Sequence, residues 1–171
     1  MESSMNLLPP IRKRLENLQI VLPPIAGPFG AYVPVKVLGN LVYVSGQLPM
    51  MGGKLTATGP VPSRCPVESA KAAARQCVIN ALGAIAAMGE DVLDRLLGVV
   101  RIGAFVCSDS DFTQQPSVAN GASELLLQLF GEEGRHVRAA VGVNVLPLDA
   151  SVEIEFIFTI ADRGQPQQRN D

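Results

Sequence analysis

An α+β sandwich, a sheet with two helices on one face and an extra helix at the N-terminus, is the fold class this sequence predicts. Three observations predict it. The stretches 137–145 and 152–160 alternate with period two, as half-buried strands do. Segments 66–88 and 115–130 carry helical patterning, the first rich in alanine and the second with a leucine stripe. The elements run helix, two strands, helix, strand, helix, two strands, so both amphipathic helices can cover one sheet face.

Residues 1–6 read as a loose tail. Leu8 to Leu18 predicts a short helix, with Pro9 and Pro10 in its first turn and Ile11, Leu15 and Leu18 on one face. Pro23 and Pro24 end it, and Ile25 to Pro34, with two glycines and two prolines, reads as an ordered loop holding Tyr32. Val35 to Leu38 and Leu41 to Leu48 read as a hairpin turning on Gly39-Asn40. Pro49 to Pro62, rich in Gly, Thr and Pro, is expected to be a mobile loop that could cover a site. The helix 66–88 opens on Pro66 and Glu68 and closes on Gly89. Leu96 to Cys107 is a strand, Ser108 to Asp111 a turn, and the second long helix starts at Gln115 or Pro116 and stops at Gly131. The closing strands are joined by a Leu-Pro-Leu-Asp turn, and Arg163 to Asp171 is a polar tail.

Face assignments follow from the alternation. Val137, Ala139, Val141, Val143 and Val145 are expected inward, with Arg138, Ala140, Gly142 and Asn144 on the other face. Val152, Ile154, Phe156, Phe158 and Ile160 are expected inward, with Glu153, Glu155 and Ile157 outward. The open face would then carry Arg101, Arg138, Glu153 and Glu155 beside Gly103, Gly142 and Ile157. That mixture is too apolar for free solvent, so association through this face is expected, a closed ring being one solution.

Composition narrows the function classes. A chain of 171 residues makes one core without staples. With 47% hydrophobic and 18% charged residues it is globular, and a net charge of −2 gives no reason to expect nucleic acid or an anionic membrane. No run approaches the roughly 20 apolar residues of a membrane span. Cys65, Cys77 and Cys107 are odd in number and lack a C-x-x-C, which favours a reduced, cytoplasmic compartment. One histidine, His136, excludes His-rich metal sites; no metal and no cofactor is expected.

From the residues alone, Arg138 fits two roles: an interface ion pair with Glu153 or Glu155, or a fork for a ligand carboxylate, which a guanidinium grips better than an ammonium. Glu153 is either a solvated strand residue or a holder of water. Ser45 serves the turn before Gly46 or hydrogen-bonds a ligand; without a histidine in its motif it is a poor nucleophile. His136 reads as a surface or packing residue sharing a strand face with Arg138, and Cys107 as a small hydrophobe.

The run Leu38-Gly39-Asn40-Leu41-Val42-Tyr43-Val44-Ser45-Gly46-Gln47-Leu48-Pro49 resembles the signature of the RidA/YjgF family, the L-PSP endoribonuclease-like or reactive-intermediate deaminase proteins. Val99-Val100-Arg101 through Asp111-Phe112, the Arg138 strand, and Leu146-Pro147 followed by Val152-Glu153-Ile154-Glu155 agree. The resemblance runs from about Ala31 to Ile160 and divides the chain into an extension (1–30), a family domain (31–162) and a tail (163–171). It implies a chorismate-mutase-like fold and a homotrimer with ligand sites in the clefts between subunits. It also implies that Arg138 binds a substrate carboxylate and that Glu153 helps position a water. Tyr32, Ser45, Gly46 and Asn120 fall on further binding positions. Ala140 stands where deaminating members carry a cysteine.

Three functions follow. The resemblance implies hydrolysis of reactive enamine or imine intermediates to 2-oxoacids and ammonia. The Ala140 departure favours a binding trimer for a small carboxylate metabolite without turnover. RNA cleavage, from the family's older name, finds little support in an acidic chain.

Overall fold

The computed structural model describes residues 9–24 and 31–162. The expected tails at 1–6 and 163–171 lie outside the described residues, as does the 25–30 part of the expected loop.

The chain forms α1 (Ile11–Asn17), β1 (Val35–Leu38), β2 (Leu41–Gln47), β3 (Met50–Met51), β4 (Lys54–Leu55), α2 (Val67–Ala86), α3 (Glu90–Asp94), β5 (Leu96–Cys107), α4 (Gln115–Phe130), β6 (Val137–Val143) and β7 (Val152–Ile160). Five strands make one mixed sheet, ordered β1-β2-β7-β5-β6. Every pairing is antiparallel except β5 with β6. The alanine content of α2 lets it pack closely. Ala70, Ala73, Ala74, Ala81 and Ala84 are buried, and the crossing with α4 is tightest at Gly121, where a Cβ would lie 1.9 Å from the Lys71 carbonyl oxygen. Phe130 of α4 and Phe156 and Phe158 of β7 fill the space between helices and sheet, with ring centroids 6.1 and 5.7 Å apart. Helix α1 shares this core through Ile11 and Leu15, and Arg14 reaches from it to the Leu129 carbonyl and over the Phe130 ring.

The outward and inward sets of β7 are as expected, with Val152, Ile154, Phe156, Phe158 and Ile160 all buried. Strand β6 is the opposite of expectation. Arg138 pairs in register with Ile102, and Ala140 with Ala104, both on the helix-covered face. Arg138, Ala140 and Gly142 therefore face α4, while Val137 (66% exposed) and Val141 (45%) look out from the open face. Alternation tells which residues share a face, not which face is covered. The small residues mark the covered side here: a Cβ at Gly142 would come within 2.9 Å of Gln115 Nε2. Arg138 and Gly142 thus leave the open face, which keeps Arg101, Gly103, Glu153, Glu155 and Ile157.

The 49–62 loop is not a mobile cover. It contains the β3–β4 hairpin, bridges to Ala150 and Ser108 through Thr58 and Val61, and buries Ala57 and Val61. Asn80 of α2 donates to the Leu48 and Met50 carbonyls (2.8 and 3.0 Å), and Ser151 donates to the Gly59 carbonyl at 2.7 Å. Arg64–Asp149 (2.6 Å) and Ser63–Asp109 (2.9 Å) tie its end to the turns after β6 and β5. Polar groups from three other elements hold a segment whose composition suggested freedom.

Candidate functional site

Two clusters of candidate residues form, on opposite faces of the sheet. The first lies between α4 and the edge strand β6. Arg138 Nη1 donates to Asn120 Oδ1 at 2.8 Å and to Ser123 Oγ at 3.1 Å, and Nη2 points to the Pro116 carbonyl at 3.4 Å. Asn120 and Ser123 are one helical turn apart and so share the α4 surface that faces β6. Helix α4 thus engages three of the five guanidinium N–H groups. Nε–H and one of the two Nη2–H groups have no partner among the described residues. Ala140, two residues on, is half-buried and packs its methyl group against the core.

Ser123 also lies 3.0 Å from His136 Nε2, and His136 Nδ1 lies 2.7 Å from the Gly134 carbonyl. A carbonyl only accepts, so Nδ1 carries the hydrogen and Nε2 accepts from the serine hydroxyl. Burial pushes the imidazole below its usual pKa; the Gly134 contact opposes this and the charge of Arg138 adds to it. The ring is neutral at pH 7. Neither Ser123 nor the role of His136 was read from the sequence. The signal was there in the Asn120/Ser123 spacing on a helix that must pack beside the Arg138 strand.

The second cluster lies on the open face where β2 meets β7. The pairing shifts register between Val44 and Gln47, and the Ser45 and Gly46 stretch falls in that irregularity. The Glu153 carboxylate lies over Gly46, where a Cβ would sit 2.0 Å from Oε1, so any side chain there would displace the carboxylate. Burial raises the Glu153 pKa above the ordinary carboxylate range, and neighbouring Glu155 raises it further. Glu155 itself pairs with Arg101 at 2.7 Å. Tyr32, 57% exposed, precedes β1 at the sheet edge opposite β6.

The structure therefore brings together Arg138, Asn120 and Ala140, and separately Ser45, Gly46 and Glu153. It does not bring Arg138 to Glu153. They sit two strand spacings apart, roughly 10 Å across the sheet, with side chains on opposite faces. An intrachain ion pair between them is excluded. The three cysteines are buried, and burial pushes the Cys77 and Cys107 thiols up, so neither serves as a ready nucleophile. Among the described residues no group of three or more His, Cys, Asp or Glu could hold a metal ion, and no helix is long and apolar enough to cross a membrane.

Comparison with known proteins bears on this arrangement. Residues 12–160 match the family model described as YjgF/chorismate_mutase-like, whose description also carries the name endoribonuclease. Protein TCP17 of Trypanosoma cruzi is 44% identical over 154 residues, 88% of this chain and 94% of that protein. A 2-iminobutanoate/2-iminopropanoate deaminase of Dermatophagoides farinae is 31% identical over 144 residues, 83% of this chain and 96% of that protein. A crystal structure of a protein of unknown function from Agrobacterium tumefaciens is 44% identical, with coverage of 88% and 91% and a TM-score of 0.78. With its mixed sheet under two helices and a match spanning nearly all the described residues, the chain belongs to the YjgF/chorismate mutase-like family.

Proposed function

We propose that this protein hydrolyses small 2-imino carboxylates, or their enamine tautomers, to 2-oxoacids and ammonia, at sites completed between copies of the chain. The observation that carries the reading is the guanidinium of Arg138. Its Nη1 is held by α4, and Nε–H and one Nη2–H have no partner among the described residues, which leaves two donors for a carboxylate. The named activity of the Dermatophagoides farinae relative supports the same chemistry.

In this mechanism Arg138 grips the substrate carboxylate and fixes the C=N carbon beside it. Glu153 from the other cluster, presented by a neighbouring copy, orients a water and accepts a proton as the water oxygen bonds to that carbon. Protonation of nitrogen and cleavage of the C–N bond release ammonia and leave the carbonyl of the 2-oxoacid. The raised pKa of Glu153, from burial and then from Glu155, makes its carboxylate a better proton acceptor than a solvated one. Copies would associate as a homotrimer through the open sheet face, whose Val137, Val141 and Tyr43 are exposed in the single chain.

A dehydratase that generates 2-aminoacrylate from serine, with semicarbazide trapping the surviving intermediate, tests the reading. Added protein should lower the trapped product, and Arg138→Ala should not. Equal trapping with and without the wild-type protein would refute turnover. Arg138-dependent binding of 2-oxobutanoate without turnover would leave a carboxylate-binding protein instead, a role consistent with the packed methyl of Ala140.

A further inference from the structure

Arg138 is the start of a chain of hydrogen bonds whose every proton can be assigned. Its Nη1 donates to Ser123 Oγ at 3.1 Å. The Ser123 hydroxyl has one hydrogen, and His136 Nε2, 3.0 Å away, is an unprotonated acceptor. His136 Nδ1–H donates to the Gly134 carbonyl at 2.7 Å. All three bonds point the same way, from guanidinium to carbonyl, and bonds so aligned polarise and strengthen one another. The far end is fixed as firmly as the near one. Gly134 is buried so close to α4 that a Cβ would meet the Leu126 carbonyl oxygen at 2.3 Å, and the next amide, Arg135 N–H, is bonded to the Glu132 carbonyl at 3.0 Å. Both ends of the relay therefore rest on the same helix.

Without Ser123 the guanidinium would keep Asn120 and only the longer contact to the Pro116 carbonyl at 3.4 Å, and could tilt about them. Two acceptors one turn apart on α4 fix its plane, and the plane sets where the free Nε–H and Nη2–H aim. We propose that Ser123 and His136 are positioning residues for Arg138: their relay locks the guanidinium so that its open fork faces the ligand carboxylate. The inference rests on the reading of Arg138 as the carboxylate anchor and adds what makes that anchor directional.

The relay requires a neutral ring. With Nε2 protonated, His136 and Arg138 would both donate to the one serine oxygen, and the serine hydrogen would lose its acceptor. The other charges nearby are already engaged: Glu124 beside Ser123 pairs with Lys71 at 2.8 Å, and Glu132 pairs with Arg135 at 2.8 Å. Arg138 is the charge that faces the ring. Acid should therefore loosen the anchor as His136 takes its proton.

The test compares wild type with Ser123→Ala, Ser123→Thr and His136→Asn, using 2-oxobutanoate as probe and NMR on the ligand-free protein. Ser123→Ala should weaken 2-oxobutanoate binding about tenfold, the loss of one hydrogen bond to a charged group, and should raise KM rather than lower kcat. Ser123→Thr, which restores the hydroxyl, should return to within about twofold of wild type. In the free protein the His136 nitrogens should show the Nδ1–H tautomer. The Arg138 Nε–H signal should exchange with water faster in Ser123→Ala and His136→Asn than in wild type. Equal impairment of the alanine and threonine variants would assign the effect to packing and overturn the proposal. So would unchanged Arg138 exchange, or the opposite tautomer. If wild type binds no carboxylate at all, the functional reading fails, and the exchange and tautomer measurements still decide the relay.

Discussion

Replacing Arg138 by lysine keeps the charge and removes the fork, so it isolates the feature on which the functional reading stands. Among the described residues the guanidinium keeps two donors free, Nε–H and one Nη2–H, while Nη1 stays bonded to Asn120 and Ser123. A lysine ammonium is a point donor that cannot hold both α4 acceptors and still present two parallel hydrogen bonds. One of the two charge-assisted bonds to the carboxylate is lost, at about 1.5–3 kcal/mol. That corresponds to roughly a 10- to 150-fold weaker Kd for 2-oxobutanoate by calorimetry. Arg138→Gln, which removes the charge as well, should exceed about 100-fold. Because Arg138 is exposed, water can replace its bonds to α4, and either change should shift stability by less than about 1.5 kcal/mol in urea unfolding. A lysine variant within threefold of wild type would refute bidentate recognition, and equal binding of the amide of 2-oxobutanoate would refute carboxylate recognition altogether.

Three further outcomes are expected. Gly121→Ala drives a methyl group into the Lys71 carbonyl and must push α2 from α4, so urea unfolding should show a loss of about 2–3 kcal/mol; a change under 0.5 kcal/mol would mean the crossing is looser than described. Val141→Asp places a carboxylate on the exposed apolar edge of the open face and should yield monomers by light scattering with an unchanged circular dichroism spectrum; particles of wild-type mass would show that this face is not the interface. Glu153 has a folded-state pKa above its unfolded value, so its contribution to stability is fully present below about pH 4.3 and is lost as pH rises through the folded value. Glu153→Gln should therefore raise the unfolding midpoint at pH 7 and leave it unchanged near pH 3.5, while abolishing turnover and sparing 2-oxobutanoate binding. A lower midpoint at pH 7 would contradict that sign.

Much of this fold was legible because its large elements carry clean periodicity. The alternation in β7 named its buried set, and the alanine and leucine patterns placed α2 and α4 within two residues at either end. The two-residue strands β3 and β4 and the single-turn α3 are too short for any period to register. The 49–62 segment was misjudged for a physical reason. Gly, Thr and Pro report local turn chemistry, whereas the order of this loop and its end comes from Asn80, Ser151, Asp149 and Asp109, in contacts spanning up to 92 residues of sequence. The faces of strand β6 are reversed from expectation because an edge strand can turn its valines outward, and its register with buried Ile102 and Ala104, with α4 close over Gly142, reveals which side is covered. In the candidate site, Arg138 and Glu153 stood out by residue type. Ser123 did not, because a helix serine has no meaning until the strand beside it is known.

The face of β6 decides more than packing. Side chains that leave opposite faces of one sheet cannot converge on a small molecule, so any joint use of Arg138 and Glu153 needs two chains. A mixing experiment turns this into a number. Arg138→Gln and Glu153→Gln should each be inactive alone. When the two are unfolded together in equal amounts and refolded, each cleft draws its arginine and its glutamate from different chains. Half the arginines and half the glutamates are intact, and they are drawn independently, so about one quarter of the clefts recover both whatever the ring size. Turnover near 25% of wild type is the expected result. If both residues served a site within one chain, no mixture could restore activity, and a rate that stays at the level of the separate variants would refute the shared site.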